Sequence, residues 1–223
     1  TPTRGVRRSG SFRNHGAEVD IFLLQEIKVA LEPGNGGQCP VEASKDKLPR
    51  AGSKSEVAPA RATDNNGRSG GVASAWRGHL NVTNTRVVLP HRAVSVDLHT
   101  HGCGDVQVVC VYADVAGTWS AQSAMWGAVS KAAAQSGKPF IWGGDWNAQV
   151  SEGREIISSM NIPGTVVAPG RDTCITPSGG SVIEYFIIHR KLQAWCLEAE
   201  VYKEGYSSPH RPVSMLIKGQ QVQ

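Results

Sequence analysis

Residues 139–150 read PFIWGGDWNAQV, and this stretch constrains the fold more than any other part of the sequence. A short apolar run that ends in glycines is typical of a strand covered on both faces. Gly, Asp and Asn all favour turns, so a strand over PFIWGG is expected to lead into a turn that carries Asp145 and Asn147. The stretch therefore predicts a buried strand whose end presents Asp145 and Asn147.

The segment before this strand has the pattern of an amphipathic helix. Within residues 119–137, apolar residues recur at steps of four and three, at Ala121, Met125, Val129 and Ala132, and Trp126 and Ala133 widen the same face. Gly137 and Pro139 are stop signals for a helix. We therefore predict a helix over 119–137 that leads into the strand, and a weaker helix over 152–159.

Other short apolar or alternating runs predict strands at 19–26, 70–76, 81–88, 93–99, 106–113, 180–188, 195–202 and 211–217. Residues 31–68 lack periodicity and are predicted to form a long loop. Residues 1–17 are basic and poor in apolar side chains, which predicts a flexible segment before a domain over 18–223. Because strands outnumber helices, yet a helix separates two consecutive buried strands, we predict an α/β fold with a two-layer β-sandwich flanked by helices.

The composition limits the classes of protein that fit. A chain of 223 residues with 40% hydrophobic residues can bury one sizeable core, and a net charge of +4 permits an anionic partner without requiring one. The five cysteines, at positions 39, 103, 110, 174 and 196, form no C-x-x-C pair, so the sequence indicates neither a zinc site nor a disulfide framework. Reduced thiols suggest an intracellular protein, with the nucleus as one option. No apolar stretch is long enough to span a bilayer, so no membrane partner is expected.

Polar residues gather at the ends of the apolar runs: Glu26, Tyr112, Asp145, Asn147, Glu184 and His210. Carboxylate oxygens with few nitrogen ligands suit Mg²⁺ or Mn²⁺. A histidine and an aspartate beside such an ion could handle a phosphate group and an attacking water. Taken singly, each residue also has an ordinary explanation, since a glutamate at a strand end is usually solvated and GGDWN could be a plain turn.

The order of these blocks is more informative than any one of them. DIFLLQE, SGGVASAW, VVCVYAD, FIWGGDWNA, SVIEYFII and SSPHRPV follow one another along the chain. This series resembles the endonuclease/exonuclease/phosphatase (DNase I-like) superfamily over about residues 18–217. The GGDWNA and IEYFII blocks look most like the endonuclease domains of non-LTR retrotransposons. The resemblance implies a four-layer DNase I-like fold.

The resemblance also implies a role for each residue that matches a motif. Glu26 would be the divalent-metal ligand, and Tyr112 would contact the scissile phosphate. Asp145 would position or activate the attacking water, while Asn147 would contact phosphate. His210 would stabilise the phosphorane-like transition state.

The sequence departs from the family pattern in three places. The superfamily begins with a strand ending in Asn and a helix, but the residues before Glu26 fit neither, so we expect this first strand and its amide to be missing. Pro209 replaces the aspartate of an SDH block and cannot act as a hydrogen-bond partner of His210, a loss of support that commonly costs about 10–100-fold. Glu184 replaces the aspartate of an IDY block and could still orient the histidine.

The leading hypothesis is a Mg²⁺- or Mn²⁺-dependent phosphodiester hydrolase, an endonuclease acting on DNA. In this hypothesis Arg68, Arg77 and Arg211 would steer the nucleic-acid backbone. Two alternatives remain open: a catalytically impaired copy of the fold that at most binds nucleic acid, and a phosphatase of small molecules or lipids.

Overall fold

The structure is a computed structural model that describes residues 19–28, 53–63, 67–114, 119–202 and 209–218. Its strands are β1 (Ile21–Gln25), β2 (Ser53–Ala58), β3 (Arg61–Ala62), β4 (Arg68–Ser69), β5 (Val72–Arg77), β6 (Val82–Leu89), β7 (Ala93–Thr100), β8 (Gly104–Tyr112), β9 (Phe140–Asp145), β10 (Gly164–Val167), β11 (Cys174–Thr176), β12 (Gly179–Ser181), β13 (Glu184–His189), β14 (Cys196–Val201) and β15 (Val213–Ile217). The helices are α1 (Trp119–Ser136) and α2 (Val150–Ser159), with one 3₁₀ turn at Arg190–Leu192. The predicted flexible segment 1–17 lies outside the described residues.

Six strands form the large sheet, in the order β10-β13-β9-β8-β7-β6. All neighbours in it are antiparallel except β8 and β9, which run parallel. Two consecutive strands can run parallel only if a crossover connection returns the chain to the edge of the sheet where the first strand began. The helix α1 provides this connection between β8 and β9. The amphipathic pattern of residues 119–137 therefore determines the one parallel pairing of the large sheet.

Three strands form the small sheet, in the order β1-β5-β2, and it packs on one face of the large sheet. Between the sheets lies a cluster that includes Trp76 from the small sheet and Val96, Val108 and Ile141 from the large one. Both described helices pack on the opposite face, where Val109, Val111 and Trp142 meet Trp126, Val129 and Ile156. The predicted two-layer β core flanked by helices is confirmed, and the described residues supply its helical layer on one side.

The pattern that predicted α1 corresponds to its buried face. Met125, Trp126, Val129, Ala132 and Ala133 are all buried. The helix ends at Ser136, and Gly137 follows with a φ of 64° and donates its N–H to the Ala133 carbonyl at 3.1 Å. Glycine is the residue that adopts this left-handed conformation most readily, which explains the stop.

Several sequence-based boundaries were wrong. The predicted loop 31–68 contains β2, whose only buried apolar side chains are Val57 and Ala58 at its end, and it also contains β3. The predicted strand 180–188 is two strands, β12 and β13. The short strands β10 and β11 were not predicted, and α2 begins at Val150 rather than 152. These strands carry little apolar periodicity and depend on neighbouring strands for their conformation.

The described cysteines are free thiols at positions 103, 110, 174 and 196. Cys39 lies outside the described ranges. Among the residues that the structure describes, no helix combines the length and apolar character needed to cross a membrane.

Candidate active site

The strand registers of the large sheet align three of the predicted site residues in one row. Tyr112 at the end of β8 pairs with Asp145 at the end of β9, and Asp145 pairs with Glu184 at the start of β13. Side chains alternate between the faces of a sheet, and Val108, Ile141 and Ile188 of the same parity face the small sheet. The phenol and the two carboxylates therefore share one end of the cleft between the two sheets.

The two glycines before Asp145 allow the backbone to approach its neighbours closely. A Cβ atom at Gly143 would lie 2.7 Å from Leu23 Cδ1 of the small sheet. A Cβ atom at Gly144 would lie far inside van der Waals contact of the Val111 carbonyl oxygen. Glycine at both positions thus keeps β9 in register with β8 and lets the small sheet pack over it.

Trp146 fixes the turn that follows. Its indole is fully buried, stacks on Trp126 with ring centroids 4.3 Å apart, and donates Nε1–H to the Tyr185 carbonyl at 3.0 Å. Because Trp146 points to the helical layer, its neighbour Asp145 must point into the cleft. The same turn places Asn147 in the left-handed region, with a φ of 45°, which Asn tolerates better than most residues.

Asp145 is a buried carboxylate with an unusual proton affinity. Its side chain accepts a hydrogen bond from the Asn147 backbone N–H at 2.9 Å. Burial raises the pKa of Asp145 to about 6, and the nearby charge of Glu184 contributes in the same direction. A carboxylate with this pKa can accept a proton from water near neutral pH. The Asn147 side chain is held by its own hydrogen bond, from Nδ2 to the Ala113 carbonyl at 2.7 Å.

Glu184 and His210 form a hydrogen-bonded pair beside Asp145. His210 Nδ1 bonds to Glu184 Oε1 and lies 3.8 Å from Asp145 Oδ2. The hydrogen bond to Glu184 raises the pKa of His210. The backbone around the histidine is tied to β11, since the Ile175 N–H donates to the Pro209 carbonyl at 2.9 Å. The glutamate thus supplies the carboxylate partner that Pro209 cannot supply.

The donor set fits a divalent cation. Ligand atoms of Asp145, Glu184 and His210 all lie within 4.8 Å of one another. Glu184 Oε2 is buried and has no hydrogen-bond partner among the described residues. A buried carboxylate oxygen without a donor is costly, and a hard cation or its water would satisfy it.

Glu26 lies at the rim of the same cleft but already has a cationic partner. It follows β1 with a φ of 54°, which is rare for a residue other than glycine. Lys28 Nζ lies 2.6 Å from Glu26 Oε1 and also donates to the Arg68 carbonyl at 3.0 Å. No sequence motif had marked Lys28, although its spacing of two residues from Glu26 was visible.

Tyr112 is buried, and its hydroxyl group stays protonated at neutral pH. Burial raises the pKa of Tyr112 to about 12, and the carboxylates of Glu26 and Asp145 add to this effect. The guanidinium of Arg92 lies 5.0 Å from the centre of the ring. Sequence reasoning missed Arg92 because the PHR turn at 90–92 contains no recognisable pattern.

The structure brings only some of the predicted arginines to this rim. The backbone of Arg68 is tied to Lys28, and Arg211 follows His210 and donates its N–H to the Thr173 carbonyl at 2.7 Å. Arg77 lies at the far end of β5 from Val72, a separation of about 17 Å along the strand. Its Nε donates to the Val19 carbonyl at 3.0 Å. Arg77 is therefore distant from the cleft end that holds Asp145.

Two stacked sheets with a helical layer on the outer face of the large sheet form a DNase I-like fold. Solved structures with this fold include the APE2 catalytic domain of Xenopus laevis, which matches with a TM-score of 0.69 and 18% identity over 92% of this chain and 85% of that one. An AP endonuclease of Leishmania major matches with a TM-score of 0.68 and 14% identity over 92% of this chain and 80% of that one.

The endonuclease domain of TRAS1, a telomere-specific non-LTR retrotransposon, matches with a TM-score of 0.60 and 17% identity over 81% of this chain and 91% of that one. No protein-family model matches the chain, and no curated protein sequence matches it. At these identities the likeness establishes the fold, so the activity has to be argued from the site.

Proposed function

We propose that the chain is a divalent-metal-dependent phosphodiester hydrolase, an endonuclease acting on DNA. The observation that supports this most is the row of Tyr112, Asp145 and Glu184 at the cleft, with His210 bonded to its end. Structural packing alone does not account for two buried carboxylates side by side, because like charges in a low dielectric repel each other. A reaction that needs a base and a cation site does account for them.

The side chains divide the chemistry between them. Asp145 accepts a proton from the attacking water, since its pKa of about 6 leaves it ionised at neutral pH and still basic. His210, protonated with the help of Glu184, donates to a non-bridging phosphate oxygen. Tyr112 donates a hydrogen bond from its hydroxyl group to the same phosphate, and Asn147 contacts the phosphate through its amide.

The carboxylates of Glu26 and Glu184 are the groups that would hold Mg²⁺ or Mn²⁺ beside Asp145. Such an ion neutralises phosphate charge and stabilises the leaving oxygen when bound. Arg68 and Arg211 flank the site and would contact the nucleic-acid backbone. DNA is favoured because the net charge is +4 and because several solved structures with this fold are named as DNA enzymes, including an AP endonuclease of Archaeoglobus fulgidus.

Two observations favour a second candidate function, a catalytically impaired copy that binds nucleic acid. Lys28 already neutralises Glu26 at 2.6 Å, and Pro209 removes a polar side chain next to His210. A phosphatase of small molecules or lipids is a third option. One structural neighbour is a 3′ phosphatase from Neisseria bound to a product DNA hairpin, and a shared fold does not fix the substrate.

Nicking of supercoiled plasmid DNA in the presence of Mg²⁺ tests the proposal. The comparison is between wild type, Asp145→Asn and Asp20→Ala, which removes an exposed carboxylate near the opposite end of β1. Nicking by wild type and Asp20→Ala that Asp145→Asn and EDTA both abolish supports the enzyme. Equal background nicking in wild type and Asp145→Asn would defeat it.

A parallel measurement separates the alternatives. DNA binding measured by fluorescence anisotropy, with no nicking, supports the impaired copy. Turnover of inositol phosphates that exceeds turnover of plasmid and of bis-p-nitrophenyl phosphate supports the phosphatase.

A further inference from the structure

Arg92 occupies the turn between β6 and β7, next to the candidate site but without a role in the chemistry described so far. Its guanidinium lies 5.0 Å from the centre of the Tyr112 ring, and its side chain is 14% exposed. A guanidinium that is largely removed from water interacts more strongly with an aromatic face than an exposed one does. The contact is therefore more than the incidental neighbourhood of a surface arginine.

Several groups hold the guanidinium in this place. Arg92 Nη2 donates to the Asp114 carboxylate and lies 3.3 Å from Ser69 Oγ. On another side lies Gly70, where a Cβ atom would come 3.4 Å from Arg92 Nη1 and 2.7 Å from the His91 carbonyl oxygen. Gly70 has a φ of 78°, so glycine suits both the conformation and the space. This accounts for the glycine of the SGG block that the site had left unexplained.

The backbone of the same turn links the two sheets. The His91 carbonyl accepts from the Gly71 N–H at 2.9 Å, directly before β5 of the small sheet. The Arg92 carbonyl accepts from the Tyr112 N–H at 2.9 Å, at the end of β8 in the large sheet. Main chain and side chain of Arg92 thus both act on Tyr112, and Arg92 is placed to fix the position of the ring.

We propose that Arg92 is a positioning residue, which holds the Tyr112 ring so that its hydroxyl group points to the bound phosphate. The inference rests on the proposed function, in which Tyr112 donates a hydrogen bond to that phosphate. Arg92 also places a positive charge beside a phenol that otherwise faces the carboxylates of Glu26 and Asp145. Lysine would restore the charge but not the planar guanidinium group, so the two contributions are separable.

The kinetic test compares Arg92→Met and Arg92→Lys with Arg86→Met. Arg86 is a matched control, because it is also partly buried and bonds to Ser95 Oγ at 3.1 Å and to the Ala132 carbonyl at 2.9 Å. We expect Arg92→Met to lower kcat for plasmid cleavage about 10-fold with KM changed less than 2-fold, the size of a desolvated cation–π contact. Arg92→Lys should recover part of the loss, and Arg86→Met should keep wild-type kcat.

A double-mutant cycle with Tyr112→Phe decides whether the loss passes through the phenol. If it does, adding Arg92→Met to Tyr112→Phe lowers kcat less than 2-fold further, because the hydroxyl that Arg92 positions is already gone. Multiplicative losses would overturn the proposal, since Arg92 would then act independently of Tyr112.

A spectroscopic readout makes the inference independent of activity. In protein labelled with ¹³Cζ-tyrosine, the Tyr112 signal is identified by its absence in Tyr112→Phe. We expect it to shift in Arg92→Met, to return towards the wild-type position in Arg92→Lys, and to stay in place in Arg86→Met. A wild-type protein without cleavage activity would refute the proposed function while this signal still tests the placement of the ring. A Tyr112 signal that is unchanged in both Arg92 variants would overturn the inference.

Discussion

Replacing Asp145 by asparagine should remove the activity and make the protein more stable. Burial raises the pKa of Asp145 from an ordinary 3.8 to about 6, so at pH 7.5 the folded protein keeps a charge that its surroundings disfavour. The difference between these two pKa values corresponds to about 3 kcal/mol at 1.36 kcal/mol per pKa unit. Asparagine has the same shape, has no charge, and can still accept the hydrogen bond from the Asn147 N–H. For a chain of this length we expect a rise in Tm of about 5–10 °C at pH 7.5.

The gain in stability from Asp145→Asn should decrease as the pH is lowered. The folded state binds the Asp145 proton more tightly than the unfolded state, so this group contributes most to stability below pH 3.8 and loses that contribution as pH rises through 6. The advantage of Asp145→Asn over wild type should therefore shrink to about 1 kcal/mol near pH 4.5. Thermal unfolding in EDTA at the two pH values, followed by differential scanning calorimetry, measures both quantities.

Asp97→Asn is the matched control. Asp97 is also a buried carboxylate, but its Oδ2 accepts from Lys138 Nζ at 2.9 Å and from Asn84 Nδ2 at 3.2 Å. Loss of this paired charge should lower the stability by about 1–3 kcal/mol. An Asp145→Asn protein that is no more stable than wild type at pH 7.5, or equally favoured at both pH values, would refute the reasoning. Added Mg²⁺ should raise the Tm of wild type more than that of the variant, because the ion offsets the buried negative charge that asparagine lacks.

Three further substitutions test other parts of the site. Glu184→Gln should lower plasmid cleavage about 10–100-fold. It should also move the alkaline limit of the pH–rate profile to lower pH, because the carboxylate that raises the pKa of His210 is gone. An unchanged profile would contradict the pairing of Glu184 with His210. Pro209→Asp should increase plasmid cleavage about 10-fold by giving His210 a second polar neighbour. A rate equal to wild type would show that the proline does not limit the activity. Gly144→Ala should lose more than about 3 kcal/mol in urea unfolding, because its Cβ atom would overlap the Val111 carbonyl; a loss below 1 kcal/mol would show that β8 and β9 separate easily.

The sequence predicted most of the strands that carry continuous apolar runs. Most of 106–113 and of 139–144 lies in β8 and β9, where burial on both faces demands such runs, and the alternating run 93–99 lies in the neighbouring β7. The sequence did not predict β2, because SKSEVA has only two apolar residues, at its end. Its extended conformation comes from pairing with β5 along its full length. Its partner strand, which is distant in sequence, decides the structure of this segment.

The order of the motifs predicted which residues form the candidate site. The contacts between their side chains could not be predicted from the sequence. The resemblance identified Asp145, Glu184 and His210. The contacts of Lys28 with the Arg68 carbonyl and of Arg92 with the Tyr112 ring depend on how separate strands pack, which the motifs do not show. Arg77 was grouped from the sequence with Arg68 and Arg211, as basic residues that would steer the nucleic-acid backbone. In fact β5 points that side chain to the other end of the sheet, and strand direction is not visible in a single block of residues.

The end of β9 combines two kinds of constraint that would separate if natural selection for catalysis were relaxed. Close packing requires glycine at positions 143 and 144, so a larger residue there would destabilise the fold whether or not the protein is catalytically active. Burial of Asp145 lowers the stability of the folded protein at neutral pH, and a neutral residue such as Asn at this position would raise it. The proposed function, and not packing, therefore accounts for an ionisable residue at position 145.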